Sequence, residues 1–239
     1  MTSLRKGARV KFPAPDPATS GADRREIHSG PFSLSYLALG DSYTIGEGVD
    51  EAGRWPLQLA QGLRDAGIAI ADPRIIATTG WTTDELSAAM DAAEPLGEWD
   101  FVSLLIGVNN QYRGRDVDNY VGEFTRLLRR AVALTGDRAD RVLVLSIPDW
   151  GVTPFAFASG RDRQAIADDL DAYNAAAREL CEAHGVAFVD ITGISRDGGG
   201  EPAMVVDDAL HPSAAQYARW AGAALPVAKG LLTAEMGSE

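Results

Sequence analysis

A single cysteine, Cys181, stands among 239 residues. That excludes an intrachain disulfide and gives no sign of an oxidising compartment. Histidine is scarce too: His28, His184 and His211 are too dispersed to make a zinc ligand set, so no metal site is expected. The chain lacks the run of roughly 18 or more apolar residues that a membrane-spanning helix needs. Basic residues near the start (Arg5, Lys6, Arg9, Lys11) are followed by Pro13, Pro15, Asp16 and Pro17 rather than an apolar segment, unlike a secretory signal. A cytoplasmic location is the default expectation. Positive charge is in short supply, with 22 basic against 34 acidic residues and a net charge of -12. Such a surface repels phosphate backbones and anionic lipid heads, which argues against nucleic-acid binding. Also missing are a Gly-x-x-x-x-Gly-Lys-Ser/Thr run and a Gly-x-Gly-x-x-Gly after a strand, the usual phosphate-cradling loops.

What is present is ordinary globular composition, 46% hydrophobic and 23% charged, in a length that suits one domain. Residues 1–33 are rich in proline, glycine, serine and charge and read as a mobile arm or loosely packed extension. From residue 34 to 239 a single domain is expected. Apolar strands are predicted at Leu34–Leu39, Arg74–Thr78, Asp100–Ile106, Arg141–Ile147 and Val186–Asp190. Helices are predicted over Trp55–Ala66, Thr83–Ala93, Val117–Ala131 and Ile166–Cys181, the last closed by Gly185, with a final one capped by Ser213 and running towards Pro226. Strand DFVSLLI (100–106) is apolar without alternation, as in a strand covered on both faces. The alternation predicts an α/β fold, a three-layer α/β/α sandwich around a five-stranded parallel sheet of flavodoxin-like type. Cys181 reads as a small buried hydrophobe and His184 as a helix-terminal cap.

In such sheets reactive loops lie beyond the carboxyl ends of strands. Four loops there carry polar chemistry: Gly40-Asp41-Ser42-Tyr43, Thr79-Gly80-Trp81, Gly107-Val108-Asn109-Asn110 and Asp208-Ala209-Leu210-His211-Pro212. A serine hydroxyl needs a base to become a nucleophile, and imidazole suits that role near neutral pH. Of the three histidines, only His211 has a carboxylate three positions upstream in a candidate site. Asp208 at that spacing can hold Nδ1–H and leave Nε2 for Ser42. The Ser42 and Gly80 amides and the Asn109 side chain are candidate donors for an oxyanion. Tyr43, Trp81, Tyr112 and Trp150 lie in or near these loops and are candidate substrate contacts. Arg113 and Arg115 are candidate readers of a carboxylate or phosphate, or plain solvated loop charges. Taken singly, each motif has a plainer explanation: an acidic loop with a surface histidine, a turn glycine, a loop-capping asparagine.

Taken together, Ser42, Gly80, Asn109 and His211, in that order and each after a strand, resemble the SGNH (GDSL) hydrolase superfamily over roughly residues 34 to 230. Asp208-x-x-His211 matches the family's Asp–His pair. Two blocks depart from the pattern: Tyr43 stands where leucine is usual, and Asn110 where an aspartate is frequent. The resemblance implies a cofactor-free serine ester hydrolase acting on a small-molecule ester, carboxylesterase- or lipase-like, on short-chain or carbohydrate-linked acyl groups. Acyl transfer by the same residues is an alternative, since the acyl-enzyme is common to both. So are a flavodoxin-like small-molecule-binding module, metal-dependent hydrolysis by Asp41, Asp208 and His211, and an inactive scaffold. Oligomeric state is left open.

Overall fold

The computed structural model describes residues 33–234. The arm at residues 1–33 therefore lies almost wholly outside the described residues, and His28 lies outside them. Five strands form one parallel sheet in the order β2-β1-β3-β4-β5: β1 (Tyr36–Gly40), β2 (Arg74–Ala77), β3 (Phe101–Leu105), β4 (Val142–Leu145) and β5 (Ala187–Val189). Every residue of β1, β3 and β4 is buried, which is why those strands read as unbroken apolar runs. The pairing register runs Tyr36 to Phe101 through Gly40 to Leu105, and Leu37 to Arg74 through Gly40 to Ala77. The ends of β1, β2 and β3 are thereby brought level, so the loops that follow them leave from one edge of the sheet.

The helices fall into two packed groups. On one side α2 (Trp55–Asp65) lies against α9 (Ala214–Thr233). On the other, α5 (Val117–Ala133) packs against both α3 (Thr83–Ala92) and α7 (Arg163–Ala183). The buried stripe of α5 is Tyr120, Phe124, Leu127, Leu128 and Ala131; that of α7 is Ile166, Leu170, Tyr173, Ala177 and Cys181. These are the helical spacings of an amphipathic face turned to the core. The stripes meet at Tyr120 and Tyr173, whose rings stack at 4.5 Å. Trp55 and Trp220 are fully buried between α2, α9 and the sheet, and truncating either to alanine is expected to cost about 3–5 kcal/mol.

Helix starts follow from local chemistry. Asp116 accepts from the Asn119 amide at 2.7 Å, Ser213 caps α9 through the Gln216 amide, and Thr82 with Glu85 forms a capping box on α3. Each cap is worth about 1 kcal/mol. Most strands are a residue or two shorter at each end than the apolar runs suggest. The expected stop near Pro226 does not occur, because α9 continues to Thr233 with Pro226 inside it. Pro226 lies on the exposed face, and the residue four positions earlier is the exposed Gly222. The Gly222 carbonyl that loses its partner is therefore open to water. Three short helices had no expectation attached: α4 (Val108–Tyr112), α6 (Pro154–Ser159) and α8 (Thr192–Arg196), as did the single turn α1 (Ser42–Ile45).

Candidate active site

Strand β1 runs into α1, and Ser42 is the first residue of that turn. Asp41 caps it, its Oδ1 accepting from the Tyr43 amide at 3.0 Å. The opening amides of a helix have no intrahelical acceptor, which leaves the Ser42 N–H available beside its own hydroxyl. Asp41 is fully buried. Burial pushes its carboxyl up to about 7, against the opposing pull of the Tyr43, Asp41 and Gly107 amides. Its Oδ2 has no hydrogen-bond partner among the described residues.

The loop after β2 turns at Gly80, where φ is +89°. A side chain here would meet nothing nearer than the Arg113 guanidinium at 3.9 Å. Glycine is thus required by the backbone angle rather than by close approach. After β3 the constraint is the opposite kind as well: Gly107 has φ of +131°, and a Cβ would come within 2.7 Å of Ile147 and Tyr120. The next turn, α4, carries Asn109, whose Nδ2 donates to the Trp81 carbonyl at 2.9 Å. A carbonyl can only accept, so this contact identifies the nitrogen end of the Asn109 amide and leaves its second N–H free. Asn110, fully buried, joins α4 to the start of α3. Its Oδ1 accepts from the Thr83 amide at 3.1 Å, and its Nδ2 donates to Thr83 Oγ1 at 2.6 Å and approaches the Glu123 carboxylate at 3.5 Å. An amide suits a position beside Glu123 that a second carboxylate would not.

The loop after β5 and α8 closes on itself. Val205 and Pro212 form an antiparallel bridge, and the Val206 amide donates to the His211 carbonyl at 2.8 Å. Ala209 sits at the apex with φ of +61°, uncommon for a residue with a Cβ. Asp208 Oδ1 accepts from the Leu210 and His211 amides at 2.8 and 2.9 Å, and Oδ2 lies 2.6 Å from His211 Nδ1. Burial alone would raise the Asp208 pKa, but the His211 ring and these two amides outweigh it and hold the carboxyl below its ordinary value. Asp208 is then anionic near neutral pH, so Nδ1 carries the proton and Nε2 is the open nitrogen. The Tyr43 ring meets the His211 ring edge-on at 6.0 Å between centroids.

These loops surround one cavity of about 230 Å³. Ser42, Thr79, Gly80, Asn109 and His211 form its polar side; Tyr43, Val108, Tyr112, Trp150, Phe155 and Leu210 form the apolar remainder. Ser42 Oγ and the His211 ring both line it without a hydrogen bond between them, a separation common before substrate binds. Of the four aromatic candidates Tyr43, Tyr112 and Trp150 line the cavity. Trp81 does not: its ring packs against the hydrophobic core, and its carbonyl accepts from Asn109. Trp150 is oriented by its indole N–H donating to Gln111 Oε1 at 2.9 Å. Phe155 was not anticipated. The signal was present in Thr153-Pro154, a capping residue followed by a first-turn proline, and Thr153 does cap α6. Arg113 pairs with Glu85 and donates from Nη2 to the Gly80 carbonyl at 2.6 Å, bracing that turn, and Arg115 is engaged elsewhere by Asp84 and Glu123. His184 ends α7, with Nδ1 2.8 Å from the Leu180 carbonyl. Burial pushes the Cys181 thiol up to about 12, leaving it inert. Among the described residues no group of three or more His, Cys, Asp or Glu is gathered as a metal site.

Residues 38–219 match the model of the GDSL-like lipase/acylhydrolase family. The chain belongs to that family. This family member is an enzyme that acts on ester bonds. Among solved structures it is similar to the lipase/acylhydrolase from Enterococcus faecalis, with 17% identity and a TM-score of 0.65 over 82% of this chain and 96% of that one. It is likewise similar to TesA, with 21% identity and a TM-score of 0.64 over 83% and 99%. A third is an acetyl xylan esterase from Geobacillus stearothermophilus, with 19% identity and a TM-score of 0.62 over 82% and 94%. At these identities the structures attest the fold shared across the GDSL-like family. No curated protein sequence matches the chain. No helix among the described residues is long and apolar enough to cross a membrane.

Proposed function

We propose that Ser42, His211 and Asp208 are the catalytic triad of this ester hydrolase, with an oxyanion site made by the Ser42 and Gly80 amides and Asn109 Nδ2. The observation that carries the proposal is the 2.6 Å contact between Asp208 and His211 on the same cavity that Ser42, Gly80 and Asn109 line. His211 Nε2 takes the proton of Ser42 Oγ as the oxygen attacks the ester carbonyl. Asp208 steadies the imidazolium that results. The developing negative charge would be met by these donors, among which Asn109 is held in place by its bond to the Trp81 carbonyl. His211 then hands its proton to the leaving alcohol, and a water deprotonated by the same nitrogen releases the acid from Ser42.

The cavity's size supports a small substrate. Its 230 Å³ falls below the ~300–1,000 Å³ of pockets that enclose drug-sized ligands, and its apolar wall of Tyr112, Trp150, Phe155 and Leu210 suits a short acyl chain. The test is hydrolysis of p-nitrophenyl esters graded in acyl length. Short esters should be turned over fastest. Asn109→Ala should lower kcat by about 10²–10³ and Ser42→Ala should abolish it. Undiminished activity in purified Ser42→Ala would refute the nucleophile assignment.

A further inference from the structure

We propose that Arg161 makes the enzyme select esters bearing a remote negative charge, a carboxylate or a phosphate. The inference deepens the ester-hydrolase reading and rests on it. Arg161 is an exposed residue in the short connection from α6 to α7. Its guanidinium carbon lies 4.1 Å from the centroid of the Tyr112 ring and 5.6 Å from that of Trp150. Both rings line the cavity. Nη1 also donates to the Tyr112 carbonyl at 3.2 Å. Stacking on two aromatic faces and one fixed hydrogen bond hold a normally mobile side chain against two of the cavity's aromatic walls.

Its charge is left uncompensated. Three other arginines near the site have carboxylate partners: Arg113 with Glu85, Arg115 with Asp84 and Glu123, Arg196 with Asp149 and Asp171. Arg161 has no carboxylate within 4.0 Å among the described residues, in a chain with 34 acidic side chains to draw on. A guanidinium has five N–H donors in a planar fork that matches carboxylate and phosphate. Only one is committed, to Tyr112. The neighbouring Arg163 also lacks a carboxylate partner among the described residues. It stacks on the exposed Phe157 ring at 3.7 Å and donates from Nε to the Gly151 carbonyl.

Carboxylates stand behind two of the polar residues that line the cavity with Ser42. Asp208 sits behind His211, and the Glu47 carboxylate accepts from the hydroxyl of Thr79, a lining residue. A substrate carrying an anionic group would be repelled at the Ser42 end and held at the Arg161 end. That polarity places the scissile ester, rather than the charged group, at the nucleophile.

Matched ester pairs test this, with acid release followed by pH-stat. Monoethyl glutarate against ethyl butyrate probes a carboxylate, and monobutyrylglycerol phosphate against monobutyrylglycerol probes a phosphate. The wild-type enzyme should favour the charged member of at least one pair by about tenfold in kcat/KM, mainly through KM, the size of one charge-assisted hydrogen bond. The pair that shows the preference identifies the anion. The preference should shrink in added salt. Arg161→Gln should bring the ratio towards one, and Arg161→Lys should retain part of it. A wild-type ratio at or below one for both pairs, or a ratio that Arg161→Gln leaves unchanged, overturns the proposal. Absence of turnover of any ester would instead overturn the hydrolase reading. Binding of glutaric acid monoamide against butyramide, followed by tryptophan fluorescence, then decides the charge question: tighter binding of the charged amide supports it and equal binding overturns it.

Discussion

The Phe155 amide donates to the Ala209 carbonyl across 3.0 Å, tying the helix that walls the cavity to the apex of the loop that carries Asp208 and His211. Ala209 accepts this bond with φ of +61°, a conformation that costs an L-residue about 1 kcal/mol or more. Glycine pays no such penalty, although it loses more freedom on folding. Ala209→Gly is therefore expected to leave stability equal or raise it by up to about 1 kcal/mol, whereas Ala209→Val should lower both thermal stability and kcat. Thermal melts and steady-state rates on one short ester measure both. A clear loss of stability in Ala209→Gly would show that the angle is not strained.

Asn110 illustrates how one departure from the usual GDSL pattern is accommodated. Its amide donates to Thr83 and approaches Glu123 while accepting from the Thr83 backbone. Asn110→Asp keeps the acceptor but places a buried carboxylate next to Glu123. A destabilisation of about 1–3 kcal/mol is expected, smaller at low pH where one carboxyl is protonated. Denaturant titrations at pH 5 and pH 8 measure the difference. An unchanged midpoint at both would contradict this view of the α3–α4 junction.

Asp41 should give the fold a pH dependence of its own. With a folded pKa of about 7 against an ordinary value of 3.8, the carboxyl binds its proton more tightly in the folded chain. The stabilisation this confers is complete below the unfolded pKa and is lost as pH rises through about 7. Asp41→Asn keeps an oxygen to cap α1 and cannot titrate. The wild-type melting temperature should therefore fall relative to that of Asp41→Asn between pH 5 and pH 8. Parallel curves for the two proteins would show that Asp41 is ionised at neutral pH.

Asp208→Asn separates catalysis from folding. Loss of the carboxylate removes the acceptor that keeps the proton on His211 Nδ1, and an amide nitrogen there would favour the other tautomer. A fall in kcat of about 10⁴-fold is expected. The side chain of Asp208 is 43% exposed, so its pairing adds little to stability and the melting temperature at pH 7 should barely move. A kcat reduced less than tenfold would remove Asp208 from the proposed triad.

The parts legible in the sequence are those where burial is uniform or periodic. Tyr36–Gly40 and Phe101–Leu105 are covered on both faces and so read as strands; the stripes of α5 and α7 read as helices because one face alone is apolar. The placement of the four polar loops after strands puts them on one edge of the sheet, and Ser42, Gly80, Asn109 and His211 line one cavity there. Short elements were hidden. The six residues of α6 are too few to show a helical period, so Phe155 went unnoticed, and α4 is a single turn of five. Trp81 misled because a loop position does not reveal which way a ring turns; here it turns to the core. Pro226 misled because its lost hydrogen bond falls on the exposed face, where water reaches the Gly222 carbonyl.

The most direct measurement is labelling with a fluorophosphonate, which reacts with an activated serine, followed by peptide mass mapping alongside residual esterase activity. Modification of Ser42 in proportion to the loss of hydrolysis, absent in Ser42→Ala and slowed in Asp208→Asn, is the predicted result. Activity that persists after Ser42 is fully labelled, or that is lost while Ser42 stays unmodified, would contradict it.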